Sequence, residues 1–318
     1  MQPENRTRTA NSKRPESRTR SAENLRPAFK HVALIGKPTP EIAESLRALR
    51  ELLRKRGCEV MIEKDTAASV GENGKVASYE EIGKGADLAI VVGGDGTMLA
   101  AARNLVRHKV PLAGINQGRL GFMTDIALSQ MSESVGAILE GRHTIEERAL
   151  IEAEILRAGK PLLRTLALNE AVVTKGSQAR LIEFKLTING EYVYRLRADG
   201  VIVATPTGST AYALSAQGPI LQPTVPAFAL VPLNPHVLSA RPVSVSDSSV
   251  IEIELLRALD ARAHFDGFAL TDLQEGDRLV LKRSADAIRF VHPPGYSYVT
   301  MLREKLRWSK AVGSKLDE

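Results

Sequence analysis

The stretch Ala86–Thr97 reads ADLAIVVGGDGT and decides the fold, because it joins a buried strand directly to a helix. Its first part, ADLAIVV, is almost continuously apolar, as strands that are covered on both faces tend to be. The residues GGDG form a turn, and a helix is predicted from about Thr97 to Arg107. A buried strand followed by a helix is typical of proteins in which helices cover a parallel sheet.

The segments before and after this junction repeat the alternation of strand and helix. His31–Lys37 (HVALIGK) has the composition of a buried strand, and Pro40–Arg56 carries apolar residues at helical spacing before Gly57 ends it. Those apolar residues are Ile42, Leu46, Leu49, Leu52 and Leu53, and further strands are predicted at Cys58–Glu63 and Val110–Ile115. We therefore expect residues 29–148 to form an α/β domain with a parallel sheet.

The pattern changes near Arg148. From there to residue 292 the segments are short and largely β-like, and Asn189-Gly190 is a strong signal for a type I′ hairpin turn. Residues 149–292 are therefore predicted to form a mainly β domain. The stretch Tyr298–Lys310 looks helical, and we expect the segment 293–318 to pack back on the α/β domain. The predicted strands are Ala149–Ile155, Leu166–Val173, Leu181–Ile188, Glu191–Arg197, Val201–Ala204, Phe228–Pro232, Val250–Leu256, Arg278–Lys282 and Ile288–Val291.

The composition favours a globular protein of the cytoplasm. Of the 318 residues, 43% are hydrophobic, yet no apolar run approaches the roughly 20 residues that a membrane span needs. The N-terminus lacks the apolar core of a signal peptide. The single cysteine, Cys58, excludes an internal disulfide and suits a reducing compartment. We therefore expect a cytoplasmic protein with no membrane partner.

The net charge of +6 is concentrated at the N-terminus. Residues 1–28 hold seven Arg or Lys and three Glu, a balance of +4, which leaves only +2 for the rest of the chain. That remainder would attract nucleic acid only weakly, so no nucleic-acid partner is expected. We interpret residues 1–28 as a disordered basic tail. A transit peptide or a nucleic-acid-binding arm is the alternative for this segment.

Gly93-Gly94-Asp95-Gly96-Thr97 is the sharpest local feature. Glycines let backbone N–H groups approach a phosphate closely, and the N-terminus of the helix adds favourable partial charge. Asp95 is placed to meet a hydroxyl or a metal ion. The structural alternative is a tight turn in which Asp95 or Thr97 caps the helix. The chain contains no Walker A sequence, so a P-loop enzyme is not expected.

A second polar segment, Thr205–Pro219 (TPTGSTAYALSAQGP), follows a predicted strand. Six hydroxyl-bearing residues fall within Thr205–Ser215, and with the glycines they could offer several hydrogen-bond donors to a polar ligand. Tyr212 offers a ring on which a base could stack. An ordinary polar surface loop is the alternative, although such a density of hydroxyl groups is unusual there.

Taken together, these segments resemble the NAD kinase family of the bacterial type. The resemblance rests on GGDGT, on the pair Asn169-Glu170 and on TPTGSTAYALSAQGP, and it runs from about residue 31 to residue 310. Diacylglycerol and sphingosine kinases share GGDGT, but the later motifs are more specific to NAD kinases. Those later motifs include Gly114–Met123 (GINQGRLGFM), Pro235–Pro242 (PHVLSARP) and Tyr296–Trp308.

The resemblance implies a phosphotransferase that moves the γ-phosphate of ATP to the 2′-hydroxyl of the adenosine ribose of NAD and so makes NADP. It also implies a divalent metal, with Mg²⁺ preferred, whose ligands in this chain stay unassigned, and a homodimer or homotetramer. Asp95 would activate the hydroxyl, and the phosphates of ATP would lie on Gly93, Gly94, Gly96 and Thr97. The residues that would bind NAD, most of them in the β domain, are Asp95, Gly96, Phe122, Asn169, Glu170, Arg180, Arg197, Asp199, Thr210, Ala211, Tyr212, Ala213, Leu214 and Ser215.

The chain departs from the family pattern at one position. Where many relatives carry a glutamine after Asp-Gly or Asp-Ser, this chain reads Asp266-Gly267-Phe268, so a side-chain amide is missing.

Two other functions remain as alternatives. One is a lipid or sugar kinase that shares GGDGT, which the hydroxyl-rich loop disfavours. The other is a non-catalytic dinucleotide sensor, which would have no need of an intact Asp95 and Glu170. The six histidines lack the spacing of a zinc site, and Cys58 has the setting of a small core residue.

Overall fold

The computed structural model describes residues 27–71, 74–118, 121–176 and 180–308. The predicted basic tail lies outside the described residues apart from residues 27 and 28, and so does the chain after Trp308. In the described part, no helix is long and apolar enough to cross a membrane.

The first half of the chain alternates strands and helices, as the sequence predicted. Its elements are β1 (His31–Gly36), α1 (Ala43–Lys55), β2 (Glu59–Glu63), α2 (Lys64–Val70), β3 (Lys75–Ala77), α3 (Tyr79–Gly85), β4 (Leu88–Gly93), α4 (Asp95–Leu105), β5 (Leu112–Asn116), β6 (Ile126–Ala127) and α5 (Met131–Leu139). Every residue of β4 is buried, because helices cover both faces of the sheet. Ile90 and Val92 pack with α1 and α5, whereas Ala89 and Val91 pack with α3 and α4.

The order of the parallel strands is β5–β4–β1–β2–β3. The central strand β1 pairs with β2 on one side and with β4 on the other, so that Leu34 lies opposite both Ile62 and Ile90. The chain thus builds outward from β1 in one direction and then returns to build in the other. In open parallel sheets a crevice forms at such a reversal, outside the carboxyl ends of the two strands. The turn GGDG follows β4 and lies at this crevice.

The second half is mainly β, with two short helices. Its elements are β7 (Thr144–Arg157), β8 (Lys160–Ala167), β9 (Glu170–Lys175), β10 (Ile182–Ile188), β11 (Glu191–Ala198), β12 (Gly200–Ala204), α6 (Tyr212–Ser215), β13 (Ala227–Leu233), β14 (Val243–Ser246), β15 (Ile251–Arg257), β16 (Ala261–Phe265), β17 (Ala269–Leu273), β18 (Arg278–His292) and α7 (Tyr298–Lys305). Asn189 and Gly190 both have positive φ, of 53° and 81°, as the predicted hairpin turn requires.

Two antiparallel sheets pack face to face in this half. One has the order β14–β13–β12–β9–β16–β17, and the other contains β11, β10, β15, β18, β7 and β8. Phe184, Phe228 and Phe265 are fully buried between them. The strand β12 is covered on both sides: Val201 and Val203 face this core, while the alternate residues face a smaller apolar cluster under the segment 205–221.

The strand β18 joins the two halves. It pairs antiparallel with β7 and β15, and near its end Phe290 pairs parallel with Leu112 of β5. The sequence predicted two strands here, which is wrong: one strand continues through an irregularity between Arg283 and Ala287. The division of the chain into domains 29–148 and 149–292 stays a prediction, and its boundary falls within β7.

The C-terminal helix returns to the first half of the chain, as predicted. The ammonium group of Lys305 in α7 lies 5.4 Å from the ring centroid of Phe122. A cleft of about 330 Å³ between α7 and α5 is lined by Thr300 and Glu304 on one side and by Glu133 and Ser134 on the other. The observed helix ends at Lys305, earlier than the sequence suggested.

The predicted strand Leu166–Val173 is wrong in an informative way. The chain instead forms β8 and β9, with a break at Leu168 and Asn169. The N–H groups at this break donate to a side-chain carboxylate, that of Asp266, rather than to a neighbouring strand. Helix α3 was not predicted either, although Ser78 and Glu81 form a capping box that marks its start.

The sandwich core allows a test of the fold. We expect Phe184→Ala to lower the free energy of unfolding by about 3–5 kcal/mol, because a fully buried ring is lost from a packed core. Urea denaturation measures the change. Tyr192→Ala, which truncates a ring that is 61% exposed on the neighbouring strand β11, is the control and should change it by less than about 0.5 kcal/mol. Equal losses in the two variants would contradict this description of the core.

Candidate active site

The carboxylate of Asp95 anchors the start of α4 to the turn between β5 and β6. One oxygen, Oδ2, accepts the N–H of Phe122 at 2.9 Å, and Oδ1 accepts the N–H of Met123 at 2.9 Å. A Cβ at Gly121 would lie 2.1 Å from Oδ1 of Asp95, so only glycine lets the turn approach this closely. The helix begins at Asp95 with Gly94 as its N-cap and no side-chain cap. The carboxylate therefore holds the turn rather than capping its own helix.

A second carboxylate, that of Asp266, shapes the segment between β8 and β9. It accepts the N–H groups of Leu168 at 2.9 Å, Asn169 at 2.7 Å and Glu170 at 3.1 Å. Burial raises the pKa of Asp266, and the three N–H groups act in the opposite direction. Leu168 also packs in the same apolar cluster as Met98 of α4. The Asn169-Glu170 pair is thus fixed next to the helix that begins with Asp95.

Asn169 and Glu170 each bury an oxygen without a protein partner. Within the described part of the chain, neither Oδ1 of Asn169 nor Oε2 of Glu170 has a hydrogen bond. Burial, followed by the charge of Asp266, raises the pKa of Glu170 to about 7, although the N–H of Tyr212 opposes the shift. Buried polar atoms in native proteins are nearly always paired. Two unpaired oxygens on consecutive residues therefore indicate a place for a ligand that donates hydrogen bonds or for a cation.

The hydroxyl-rich segment packs closely against the backbone around the Asn169-Glu170 pair. Thr205 Oγ1 donates to the carbonyl of Leu168 at 2.5 Å and accepts the N–H of Gly208 at 3.1 Å. A Cβ at Gly208 would lie 2.0 Å from the carbonyl oxygen of Asn169, which explains the glycine. Since the hydroxyls of Ser209 and Thr210 also donate to carbonyls of the segment, several of these groups serve the loop itself.

A cleft of about 640 Å³ lies at the carboxyl ends of β1, β2 and β4. Gly94, Gly96 and Thr97 line one wall, and Lys37 and Glu63 lie on others. A Cβ at either Gly94 or Gly96 would meet no atom within 4 Å, so their backbone is open to the cleft. Gly93 is covered instead, because a Cβ there would lie 2.6 Å from Thr97 Oγ1. The cleft coincides with the reversal of strand order, where ligands of open parallel sheets bind.

Other predicted site residues lie at the opposite end of β12. The carboxylate of Asp199 binds Lys175 Nζ at 2.6 Å and Asn234 Nδ2 at 2.9 Å, and the contact with Lys175 is the main reason that its pKa is lowered. Six residues separate Asp199 from Thr205, or about 20 Å of extended chain. Arg180 and Arg197 are exposed. The predicted residues described in the preceding paragraphs therefore lie around Asp95 and Asn169-Glu170. Arg180, Arg197 and Asp199 do not.

Two residues of the site were not singled out from the sequence. Asp266 was noted only as the first residue of the tripeptide Asp266-Gly267-Phe268, which differs from the family pattern. Asp266 and Gly267 have positive φ values of 53° and 72°, which indicate no more than a tight turn. Arg148 marked only a change of pattern. Its side chain is 2% exposed, binds Glu146, and donates to Thr207 Oγ1 at 3.3 Å, so it ties the hydroxyl-rich segment to β7. Neither contact has a local sequence signal.

Comparison with known proteins gives one consistent answer. The family model described as the ATP-NAD kinase N-terminal domain matches residues 32–143, and that of the C-terminal domain matches residues 168–293. The NAD kinase of Aromatoleum aromaticum is 60% identical over 284 residues, which cover 88% of this chain and 95% of the relative. The NAD kinase of an Azoarcus species is 55% identical, with 88% and 97% covered.

Solved structures agree with the sequence matches. Yeast NADH kinase complexed with NADH superposes with a TM-score of 0.83 at 26% identity, covering 91% of each chain. An NAD kinase from Archaeoglobus fulgidus in complex with ATP superposes with a TM-score of 0.71 at 27% identity, covering 87% of this chain and 98% of the other. These matches do not support a lipid kinase, a sugar kinase or a non-catalytic sensor. The chain therefore belongs to the ATP-NAD kinase family, and it is a phosphotransferase that takes ATP as phosphate donor and NAD as alcohol acceptor.

Proposed function

We propose that the chain transfers the γ-phosphate of ATP to NAD at Asp95, between a donor site on the glycine turn and an acceptor site at Asn169-Glu170. The observation that carries this proposal is the pair of unpaired buried oxygens, Asn169 Oδ1 and Glu170 Oε2. A ribose presents hydroxyl donors that match them. The solved relative bound to ATP and the one bound to NADH support the presence of both sites in one fold.

The acceptor adenosine lies on the segment Thr210–Ser215 in this proposal. Tyr212 is 47% exposed, and its backbone N–H already holds Glu170, so its ring is presented at a fixed distance from the ribose oxygens. Ala211, Ala213 and Leu214 supply backbone and apolar surface around it. Phe122 adds a second ring, carried by the turn that Asp95 holds.

Asp95 accepts the proton of the 2′-hydroxyl while the 2′-oxygen of the ribose attacks the γ-phosphorus. The new P–O bond forms while the bond to the bridging oxygen of ADP breaks, and ADP leaves with that electron pair. A carboxylate has about four lone-pair sites, and the two N–H groups at 2.9 Å leave room for a hydroxyl. Because the transition state of phosphoryl transfer is loose, positioning and charge neutralisation carry most of the catalysis.

The donor phosphates lie on Gly94, Gly96 and Thr97, with Gly93 closing the end of β4. The backbone of these glycines is open to the cleft, and it lies at the N-terminus of α4, where partial positive charge favours anions. Lys37 lines the same cleft and supplies a further positive charge.

A divalent metal, Mg²⁺ by preference, fits this arrangement. The described residues contain no cluster of three His, Cys, Asp or Glu, but Mg²⁺ in kinases needs only one or two protein oxygens beside the phosphates and water. The unpaired oxygens of Asn169 and Glu170 are of the right chemistry. When bound, the ion would neutralise charge on the phosphates of ATP.

The remaining expectations stay predictions. Arg180, Arg197 and Asp199 would bind the dinucleotide, with Asp199 at the nicotinamide carboxamide, and both arginines are exposed. A homodimer or homotetramer, and a cytoplasmic location, also stay predictions. The thiol of Cys58 is buried and free of any disulfide, which suits a reducing compartment.

Asp95→Asn tests whether the carboxylate acts as the base. We expect turnover to fall roughly 100-fold or more, because an amide cannot take the proton, while the Kd for NAD changes only a few-fold. Both oxygens of Asp95 accept N–H groups, so the NH₂ of asparagine would also face one donor and loosen the turn. Turnover, NAD binding by calorimetry and the melting temperature should therefore be measured together.

Thr124→Val is the matched control for this loosening. It removes a hydroxyl that lies 3.5 Å from Asp95 Oδ1 in the same turn but keeps the carboxylate. We expect it to retain turnover within about tenfold even if it melts earlier. If Asp95→Asn kept more than about a tenth of normal turnover, or if Thr124→Val lost as much as Asp95→Asn, Asp95 would be a positioning group and not the base.

Glu170 should make the stability of the protein depend on pH. Its folded pKa of about 7 lies above the ordinary value of 4.5, so its contribution to stability is complete below about pH 4.5 and is lost as the pH rises through 7. Glu170→Gln does not titrate. Between pH 4.5 and pH 8, the free energy of unfolding of the unaltered protein should therefore fall by on the order of 3 kcal/mol relative to that of Glu170→Gln. The turnover of Glu170→Gln should be lower than that of the unaltered protein. A difference that stays constant across this range would show that Glu170 is not titrating from a buried site.

A further inference from the structure

Phe268 lies on a rigid turn beside the donor cleft. It follows Asp266 and Gly267, whose φ values are positive, and its N–H donates to the carbonyl of Phe265 at 3.0 Å. Asp266 in turn is held by three backbone N–H groups of the segment 168–170. The turn is therefore fixed at both ends. The ring of Phe268 is 57% exposed and belongs to none of the apolar clusters in the described part of the chain.

The ring shares its cleft with the glycine turn. Phe268 lines the 640 Å³ cleft together with Gly96, Thr97, Ala100 and Asn104, which follow one face of α4. From Gly96 to Asn104 the helix rises about 12 Å. A nucleotide whose phosphates lie at the N-terminus of α4 also has a ribose and a base to accommodate. One part of the cleft leads along this face of the helix toward Phe268.

A guanidinium group covers part of the ring. The Cζ atom of Arg103 lies 5.4 Å from the centroid of Phe268, and Arg103 Nη1 is 3.5 Å from the carbonyl oxygen of Phe265. An arginine on an aromatic ring is attractive in itself and steadies the ring. A flat aromatic ring on a fixed turn is the kind of surface on which a nucleobase stacks, and such stacking needs no side-chain amide.

We propose that Phe268 is the platform for the base of the nucleotide donor and so determines the preference of this chain for a nucleoside triphosphate over a phosphate chain without a base. The proposal rests on the proposed placement of the donor phosphates at Gly94, Gly96 and Thr97. It gives a role to an exposed ring that packs in none of the apolar clusters of the described residues. The acceptor adenosine, on Tyr212, lies outside this cleft.

The test compares substrates in Phe268→Ala. We expect the KM for ATP to rise about tenfold, because a base–aromatic stack is lost, while the KM for NAD and kcat stay within about twofold. The inhibition constant of inorganic tripolyphosphate against ATP should not change, since it has no base. Phe268→Trp should keep the KM for ATP near its normal value, because it keeps a stacking surface.

Two matched variants sharpen the result. Tyr192→Ala removes a similarly exposed ring on β11 and should leave both KM values unchanged. Tyr212→Ala should raise the KM for NAD and not that for ATP. The proposal is overturned if Phe268→Ala leaves the KM for ATP unchanged, if it raises the KM for NAD instead, or if it weakens tripolyphosphate as much as ATP, which would mean that the ring only shapes the phosphate site.

A failure of the donor site itself would look different. A Cβ at Gly96 meets no atom within 4 Å, so Gly96→Ala adds a methyl group to the cleft without a clash in the fold. If the phosphates bind there, this variant loses ATP and tripolyphosphate together. If it retains both, the proposed donor site is wrong whatever Phe268→Ala shows.

Discussion

The carboxylate of Asp266 accepts three consecutive backbone N–H groups, and the arrangement of the site depends on that contact. The strand that would otherwise run from β8 into β9 is interrupted, because the N–H groups of Leu168, Asn169 and Glu170 have a partner other than a neighbouring strand. A charged group that is 6% exposed would be costly if it were unpaired. Three N–H donors offset that cost and fix the position of the segment at the same time. One side-chain oxygen of Asn169 and one of Glu170 have no partner among the described residues.

On the other side of the site, the carboxylate of Asp95 likewise accepts backbone N–H groups. It holds the turn at Phe122 and Met123, while Asp266 holds the segment before β9, and Leu168 packs against the helix that Asp95 begins. Each carboxylate joins elements that are distant in the sequence, so both sides of the cleft are set by hydrogen bonds of fixed geometry. A catalytic role and a structural role are compatible for Asp95, because the backbone contacts orient its oxygens without using all of their capacity to accept.

What the sequence predicted well is what local patterns control. The run ADLAIVV is buried on both faces, the turn GGDG begins α4, and Asn189-Gly190 forms its hairpin, because each follows from neighbouring residues. The break before β9 could not be predicted, since its cause, Asp266, lies 97 residues after Asn169. The single long strand β18 was likewise divided, because its continuity depends on pairing with β7 and not on its own composition. The buried link from Arg148 to Thr207 has the same long-range origin.

Glu170 and Phe268 differ in how tightly the surrounding structure constrains them. Glu170 is buried beside another carboxylate and stays poorly satisfied, a condition that lowers stability and is kept where a ligand completes the contacts. Position 268 is under a different constraint. It is held by its turn and not by a side-chain partner within the core, so any side chain there faces the cleft without disturbing Asp266. The proposed role of Phe268 fits this constraint, because stacking on a base depends on a flat surface in a fixed place and not on a specific donor or acceptor.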